Sequence, residues 1–334
     1  MNSLQMFEDR LEQARHTITP ELALAILEES REPRHALQLF DAASAIRDEH
    51  LGRALWWTAA IEGIIPCRLA TMCRYCSYPN GPTWTREELL QALAAIEALG
   101  FRHLHLSGGT NLEGYDAEIV AMVETMRSAS EIAIEVNLGP SLGRETVRRL
   151  RELRVSSVTS SLETVNPDVF QIAKPGDSLE RRKALLEVCE EEGMPTRSMM
   201  LVGLGESEED RIRQLFYLRQ LRGLHHVRFS RYSPKTNGAF VRPRCSPWEV
   251  ARVIAVARLI LPGVQLGLAA GNSPDDIPLW FLAGGGNQLL GAAANRKGAT
   301  GEIAITDRRE IQQQFAASLG LQVGFECPTM ENRI

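Results

Sequence analysis

The chain has 334 residues, 44% of them hydrophobic and 24% charged, ordinary values for a globular protein with a large core. Its 37 Lys and Arg against 42 Asp and Glu leave a net charge of −5, which argues against nucleic-acid binding through bulk positive charge. No apolar run reaches the ~18 residues of a membrane span, and the N-terminal MNSLQMFEDRLEQ lacks the basic flank and apolar run of a signal peptide. Six cysteines are too few for a disulfide scaffold of this size, so a cytoplasmic location is expected.

Residues 1–50 read as three short helices broken near Thr19-Pro20 and Glu32-Pro33, with Ile18, Leu22, Ile26 and Leu27 at helical spacing. The rhythm then changes to short apolar runs alternating with amphipathic segments. Strands are expected at Leu55–Ile61, His103–Ser107, Ile132–Leu138, Ser156–Leu162, Thr196–Val202, His226–Arg231, Gln265–Ala269 and Asn287–Leu290. Between them fall helices from Thr85 to Leu99, Asp116 to Ser128, Arg144 to Leu153, Leu179 to Glu192, Glu208 to Leu221 and Pro247 to Leu261. The first opens on a capping box and ends at Gly100; the last is capped by Ser246 and stopped by Pro262. Such alternation implies parallel strands with right-handed crossovers. The fold class is therefore α/β, a (βα)8 TIM-type barrel with an N-terminal helical extension. A doubly wound sheet is the rival. The expected organisation is an extension over 1–50, a barrel over 51–295 and a tail over 296–334 packing on it.

Three cysteines lie close together, Cys67, Cys73 and Cys76, in the loop leaving the first strand, where a barrel places its chemistry. Three thiolates on one loop suit a soft metal. An iron–sulfur cluster with one open iron, a zinc ion with a distant fourth ligand, and coincidental thiols all fit the spacing, since His50 and His103 are remote in sequence.

With an aromatic residue between the last two cysteines, Cys73-Arg74-Tyr75-Cys76, the loop resembles that of the radical S-adenosylmethionine (SAM) enzymes. The superfamily's usual spacing is C-x3-C-x2-C; here it is C-x5-C-x2-C, which resembles the HmdB branch of the biotin synthase-like enzymes. That branch is tied to the iron-guanylylpyridinol cofactor of [Fe]-hydrogenase. The likeness extends over roughly residues 50–295. Ser107-Gly108-Gly109 is similar to the element that meets the SAM amino group, although Thr110 stands where Glu is common, which passes that contact to backbone or to Glu113. Ser161-Leu162-Glu163 and the following AKPGDSLERRKALLEVCEEEGMP resemble the segment lining the SAM pocket.

The resemblance implies a [4Fe–4S] cluster on Cys67, Cys73 and Cys76. It also implies SAM bound among Tyr75, Ser107, Gly108, Gly109, Ser161, Glu163, Arg182 and Met200. Arg182 would lie near the SAM carboxylate, with Glu163 orienting the other end of the zwitterion. A small-molecule substrate and an electron donor such as flavodoxin or ferredoxin are implied, with neither nucleic acid nor membrane as partner. The activity implied is reductive cleavage of SAM to a 5′-deoxyadenosyl radical acting on a small organic precursor. Sulfur insertion of the lipoyl or biotin synthase type is the enzymatic alternative, and an iron–sulfur scaffold or carrier the non-enzymatic one. No catalytic residue beyond these ligands is assigned.

The remaining cysteines are scattered: Cys189 reads as a buried hydrophobe, Cys245 as a possible cavity residue, and Cys327 as part of a polar tail without a partner. His105 reads as packed rather than catalytic. Arg228 and Arg231 are expected on one side of the sixth strand, with Arg231 a candidate for an anionic substrate. Asn272, Asp275 and Asp276 are candidate substrate contacts at the mouth, whereas Gly284-Gly285-Gly286 precedes a strand and does not read as a phosphate loop. The two extra residues after Cys67 are expected to bulge outward, carrying Arg68–Thr71 toward solvent or the N-terminal helices.

Overall fold

A computed structural model of the protein describes residues 3–76, 81–234, 242–269, 271–297 and 301–327. The N-terminal extension consists of α1 (Ser3–His16), α2 (Pro20–Glu29) and α3 (Pro33–Leu51). Thr19 and Glu32 cap α2 and α3, and in each the next residue is a proline whose missing N–H costs nothing at a helix start.

The barrel follows as β1 (Leu55–Glu62), α4 (Arg86–Ala98), β2 (His103–Ser107), α5 (Asp116–Arg127), β3 (Ala133–Asn137), α6 (Arg144–Glu152) and β4 (Ser157–Thr159). Then come α7 (Pro167–Ala173), α8 (Leu179–Glu191), β5 (Thr196–Val202), α9 (Glu208–Arg219), β6 (Leu224–Arg231), α10 (Pro247–Ile260) and β7 (Gln265–Leu268). A 3₁₀ turn at Pro274–Asp276 leads to α11 (Ile277–Leu282) and β8 (Gln288–Arg296). At the start of α4, the Thr85 side chain accepts from Glu88 N at 3.2 Å while Thr85 N donates to Glu88 at 2.7 Å, the capping box read from sequence.

Hydrogen bonding runs β7-β6-β5-β4-β3-β2-β1-β8, every pair parallel. This curled parallel sheet is the expected TIM-type arrangement. Its ends, β7 and β8, meet at their bases, where Gly286 N donates to Leu266 O at 2.7 Å. Outward positions are apolar and buried under the helices: Leu104, Leu106, Ile134, Val136, Val158, Val227 and Phe229. The alternate, inward positions are polar, among them His105, Glu135, Thr159, Arg197 and His226.

Two features differ from the sequence reading. β4 is only three residues long: Ser160 N makes the last ladder bond, to Arg197 O, and the chain then leaves the sheet until Glu163 bridges Met200. β8 runs on to Arg296 because β9 (Ile303–Asp307) pairs with it antiparallel, and α12 (Arg309–Ala317) and β10 (Val323–Gly324), parallel to β1, follow. Phe325 stacks edge-on against Phe101 at 5.6 Å. Cys327, read from sequence as partnerless in a polar tail, is instead buried within electrostatic reach of Arg197.

The extension is more than a preface. α10 is buried at every position from Val250 to Ile260 because α2 and α3 cover its outer face. Arg47 donates to Phe281 O at 2.9 Å and to Gly285 O at 3.1 Å, and Arg252 donates to Ser30 Oγ at 3.0 Å.

Candidate active site

The residues expected to hold cluster and SAM come from β1, β2, β4 and β5 toward their C-terminal ends or from the loops beyond them, except Arg182, which stands in the first turn of α8. Gly109 lies under the first cysteine: its N–H donates to Ile65 O at 2.8 Å, and a Cβ there would fall 2.2 Å from Cys67 N. Only glycine allows the two loops to meet this closely. Thr110 O accepts from Arg68 N at 2.8 Å and lies 3.6 Å from Cys67 Sγ. Ser107 is buried at the inward end of β2, and Gly108 N donates to Asn137 O at 3.0 Å. The Ser107–Thr110 turn and the cysteine loop are thus one packed unit.

The second half of the cysteine loop rests on the segment after α7. Arg74 N donates to Ala173 O at 2.9 Å, and a Cβ on Gly176 would meet Thr71 O at 2.3 Å. The bulge after Cys67 is largely exposed, as expected, but its contacts run to Gly176 and to the ring of Tyr115 beneath Arg68. Burial pushes the Cys73 thiol up to about 11, against the pull of Lys174. Tyr75, half-buried, has its phenol raised by burial and then by Glu163, which places it beside that carboxylate.

Glu163 is 4% exposed and holds the left-handed φ of 63° that few non-glycine residues adopt. Its N–H donates to Met199 O and its C=O accepts from Leu201 N, both at 2.9 Å, so the two flanks of Met200 fix this conformation. One oxygen, Oε1, lies 3.8 Å from Lys174 Nζ; the other, Oε2, is buried without a hydrogen-bond partner among the described residues. Lys174 pairs with Asp177 at 3.0 Å, and Asp177 receives the Arg182 guanidinium through Nε at 3.1 and 3.0 Å and Nη2 at 2.6 Å. Burial alone would raise the Asp177 carboxyl, but Arg182 and Lys174 outweigh it and hold it at about 2. Arg182 also donates to Ser161 O at 2.8 Å and Thr110 Oγ1 at 3.5 Å. It therefore ties the ends of β2 and β4 to the turn before α8.

Several candidates prove to be framework. By alternation from Arg197, Met199 faces the barrel interior and Met200 the opposite side, buried against the outer layer. Glu113 is exposed. Arg228 and Arg231, three residues apart, take different partners: Arg228 meets Glu135 at 3.2 Å inside the barrel, and Arg231 meets Asp276 at 2.9 Å. Asn272 donates to Phe229 O and Ala269 O, and Ser273 pairs with Asp275, so this turn is internally bonded. Cys189 is buried in α8, and Cys245 is buried against Gly203. Lys174 and Asp177 were not singled out from sequence; their only signal there is a pair of opposite charges three apart in a Pro-Gly turn.

Residues 67–217 match the sequence model of the radical SAM superfamily. This chain carries a radical SAM domain. Its relatives include an uncharacterized protein of Methanocaldococcus jannaschii, 27% identical over 77% of this chain and 70% of the relative. The biotin synthase of Pelotomaculum thermopropionicum is 27% identical over 77% of this chain and 81% of its own. Among solved structures, the FeFe-hydrogenase maturase HydG from Carboxydothermus hydrogenoformans has the same fold, with a TM-score of 0.81 at 19% identity, covering 99% of this chain and 81% of that one. Residues 67–217 thus form a radical SAM domain, the chain around it is similar to biotin synthase, and proteins with this domain use a [4Fe–4S] cluster and SAM. Among the described residues no helix is long and apolar enough to cross a membrane.

The residues present fit those groups. Three partly exposed thiols on one loop supply the soft donors. No three His, Cys, Asp or Glu side chains among the described residues gather at a point that would hold a single ion. A cluster of four irons takes each thiolate on a different iron. The orphaned Glu163 Oε2 leaves a buried hydrogen-bond acceptor where the SAM amino group is expected.

Proposed function

We propose that Cys67, Cys73 and Cys76 hold the cluster and that Tyr75, Ser107, Gly108, Gly109, Ser161, Glu163 and Arg182 line bound SAM, with Met200 contributing through the backbone that positions Glu163. When bound, the cluster supplies the electron that cleaves SAM to a 5′-deoxyadenosyl radical. The chain's own residues bind, orient and enclose. Glu163 Oε2 accepts from the ammonium end of the methionine moiety, and the unpaired buried oxygen is the observation that carries this reading. Arg182, fixed by Asp177, keeps the pocket wall rigid near the carboxylate end. The helices and strands around the lumen keep water from a reactive intermediate.

The substrate is a small organic precursor in cofactor biosynthesis, of the HmdB type tied to the pyridinol moiety of the [Fe]-hydrogenase cofactor. The C-x5-C-x2-C spacing supports this branch, and an electron donor such as flavodoxin or ferredoxin would serve it. Sulfur insertion is disfavoured because the remaining cysteines stand singly: Cys189 is buried in α8, Cys245 packs against Gly203, and Cys327 lies near Arg197. The test is anaerobic reconstitution followed by reductant and SAM, with 5′-deoxyadenosine as the readout. Pyridinol-ring precursors should stimulate its release. Transfer of sulfur to octanoyl or dethiobiotin substrates would overturn the assignment, and reconstituted protein with zinc but no labile sulfide would overturn the cluster itself.

A further inference from the structure

The inward face of the barrel carries a polar layer that cluster and SAM binding leave unused. Glu135 of β3 accepts from Arg197 at 2.6 Å, from Thr159 Oγ1 at 2.8 Å, from His105 Nδ1 at 2.9 Å and from Arg228 Nη2 at 3.2 Å. Arg197 adds Ser157, His225, His226 and Gln288 as partners, all at 2.9–3.2 Å. The two histidines are neutral: burial lowers His105 and, with Arg197, holds His226 well below the usual imidazole range. Among the described residues one carboxylate therefore faces two guanidinium groups, which gives this layer a surplus positive charge.

The surplus belongs to Arg228. Arg197 is the nearer partner of Glu135 and is buried, whereas the Arg228 side chain is 19% exposed. His105 Nδ1 already donates to Glu135, so the Arg228 Nη1 that lies 3.3 Å from it finds no acceptor there. Below it, His226 Nδ1 faces Arg197, which leaves the proton on Nε2, a buried donor without a partner among the described residues. A Cβ on Gly267 would lie 2.4 Å from that nitrogen, so the ring fits only beside glycine. Glu62, the other inward carboxylate, lies one layer nearer the mouth, and no ion pair joins it to Arg228 among the described residues. Among the described residues the layer is short of acceptors. Half-buried Met199 and Asn137 stand on the same lumen face above it.

We infer that Arg228 is a seat for a substrate carboxylate, so that the lumen takes a small carboxylic acid with its anionic end down and its reacting part toward the cysteine loop. This deepens the function proposed above and rests on reading the lumen as the substrate cavity. A single surplus cation matches a monoanion, and a phosphate dianion would bring uncompensated charge into a buried site.

The test is anaerobic calorimetric titration of the reconstituted protein at fixed ionic strength with propionate against propionamide, benzoate against benzamide, and inorganic phosphate. The acids should bind roughly tenfold or more tightly than the matched amides and more tightly than phosphate. Arg228→Gln should remove that preference, while Arg228→Lys should keep part of it; unchanged iron content and circular dichroism would show both variants folded. Equal affinity for acids and amides, no measurable acid binding, or preference for phosphate in the wild-type protein would each overturn the inference without any variant. Binding is scored without SAM cleavage. A protein that prefers acids but releases no 5′-deoxyadenosine would refute the proposed function and leave the seat standing.

Discussion

Gly109→Ala adds one methyl group at the contact between the Ser107–Thr110 turn and the cysteine loop. The new Cβ would lie 2.2 Å from Cys67 N, 2.3 Å from Cys67 Cα and 2.4 Å from Pro66 C. Ordinary contact begins at 3.4 Å, so the backbone of Cys67 must withdraw by about 1.2 Å. No side-chain rotation relieves this, because every atom met is backbone. Metal sites tolerate only about ±0.2 Å in ligand distance, so a shift of this size carries the first thiolate out of reach. The overpacking costs about 1–3 kcal/mol, toward the upper end because the strain falls on backbone. The loop is at the surface, so it gives way before the barrel does. Iron and labile sulfide after anaerobic reconstitution should therefore fall to a small fraction of wild type, while the thermal midpoint drops by only a few degrees. Gly108→Ala is the control: its Cβ meets Leu138 Cδ2 at 2.7 Å, a side-chain atom that can turn away. A folded Gly109→Ala protein carrying the full complement of iron and sulfide would refute the packing logic.

Cys67→Ala, Cys73→Ala and Cys76→Ala should each abolish the broad absorbance of a cluster of about four irons, while Cys189→Ala, buried in α8, should retain it. Asp177→Asn should cost about 2 kcal/mol at neutral pH, read by urea unfolding, since the carboxyl is held at about 2 against an ordinary value of 3.8. A depressed pKa means that this stabilisation is complete above about pH 4 and disappears as the pH falls toward 2, so the variant should lose acid sensitivity in that window. Glu135→Leu leaves the buried Arg197 and the partly buried Arg228 without their shared carboxylate and should destabilise by about 3–5 kcal/mol. Removing Arg197 as well, in Glu135→Leu/Arg197→Leu, should recover part of that loss, and an additive double variant would show the pair to be uncoupled.

Local patterning fixed the alternation of strands and helices, because a run such as His103–Ser107 needs only its own residues to declare a period of two. The same holds for the capping box at Thr85 and the stops at Gly100 and Pro262, and for Cys67, Cys73 and Cys76, whose spacing is a property of one loop. What the sequence alone could not determine is which polar residues meet. Glu135, Arg197 and Arg228 stand on three different strands, and only the curling of the sheet brings both guanidinium groups within 3.2 Å of the Glu135 carboxylate. Lys174 and Asp177 become part of the site because their turn folds against Arg182 and Glu163. β9, α12 and β10 carry weak local signals and are held by pairing to β8 and β1, which lie far away in sequence. Arg228 and Arg231 divide in the same way: strand alternation separates them, and their partners, supplied by β3 and by the turn after β7, are settled only by the fold. Propensity and spacing act over a few residues, whereas burial of a charge requires opposite charges from remote strands, and these are brought together only by the packed barrel.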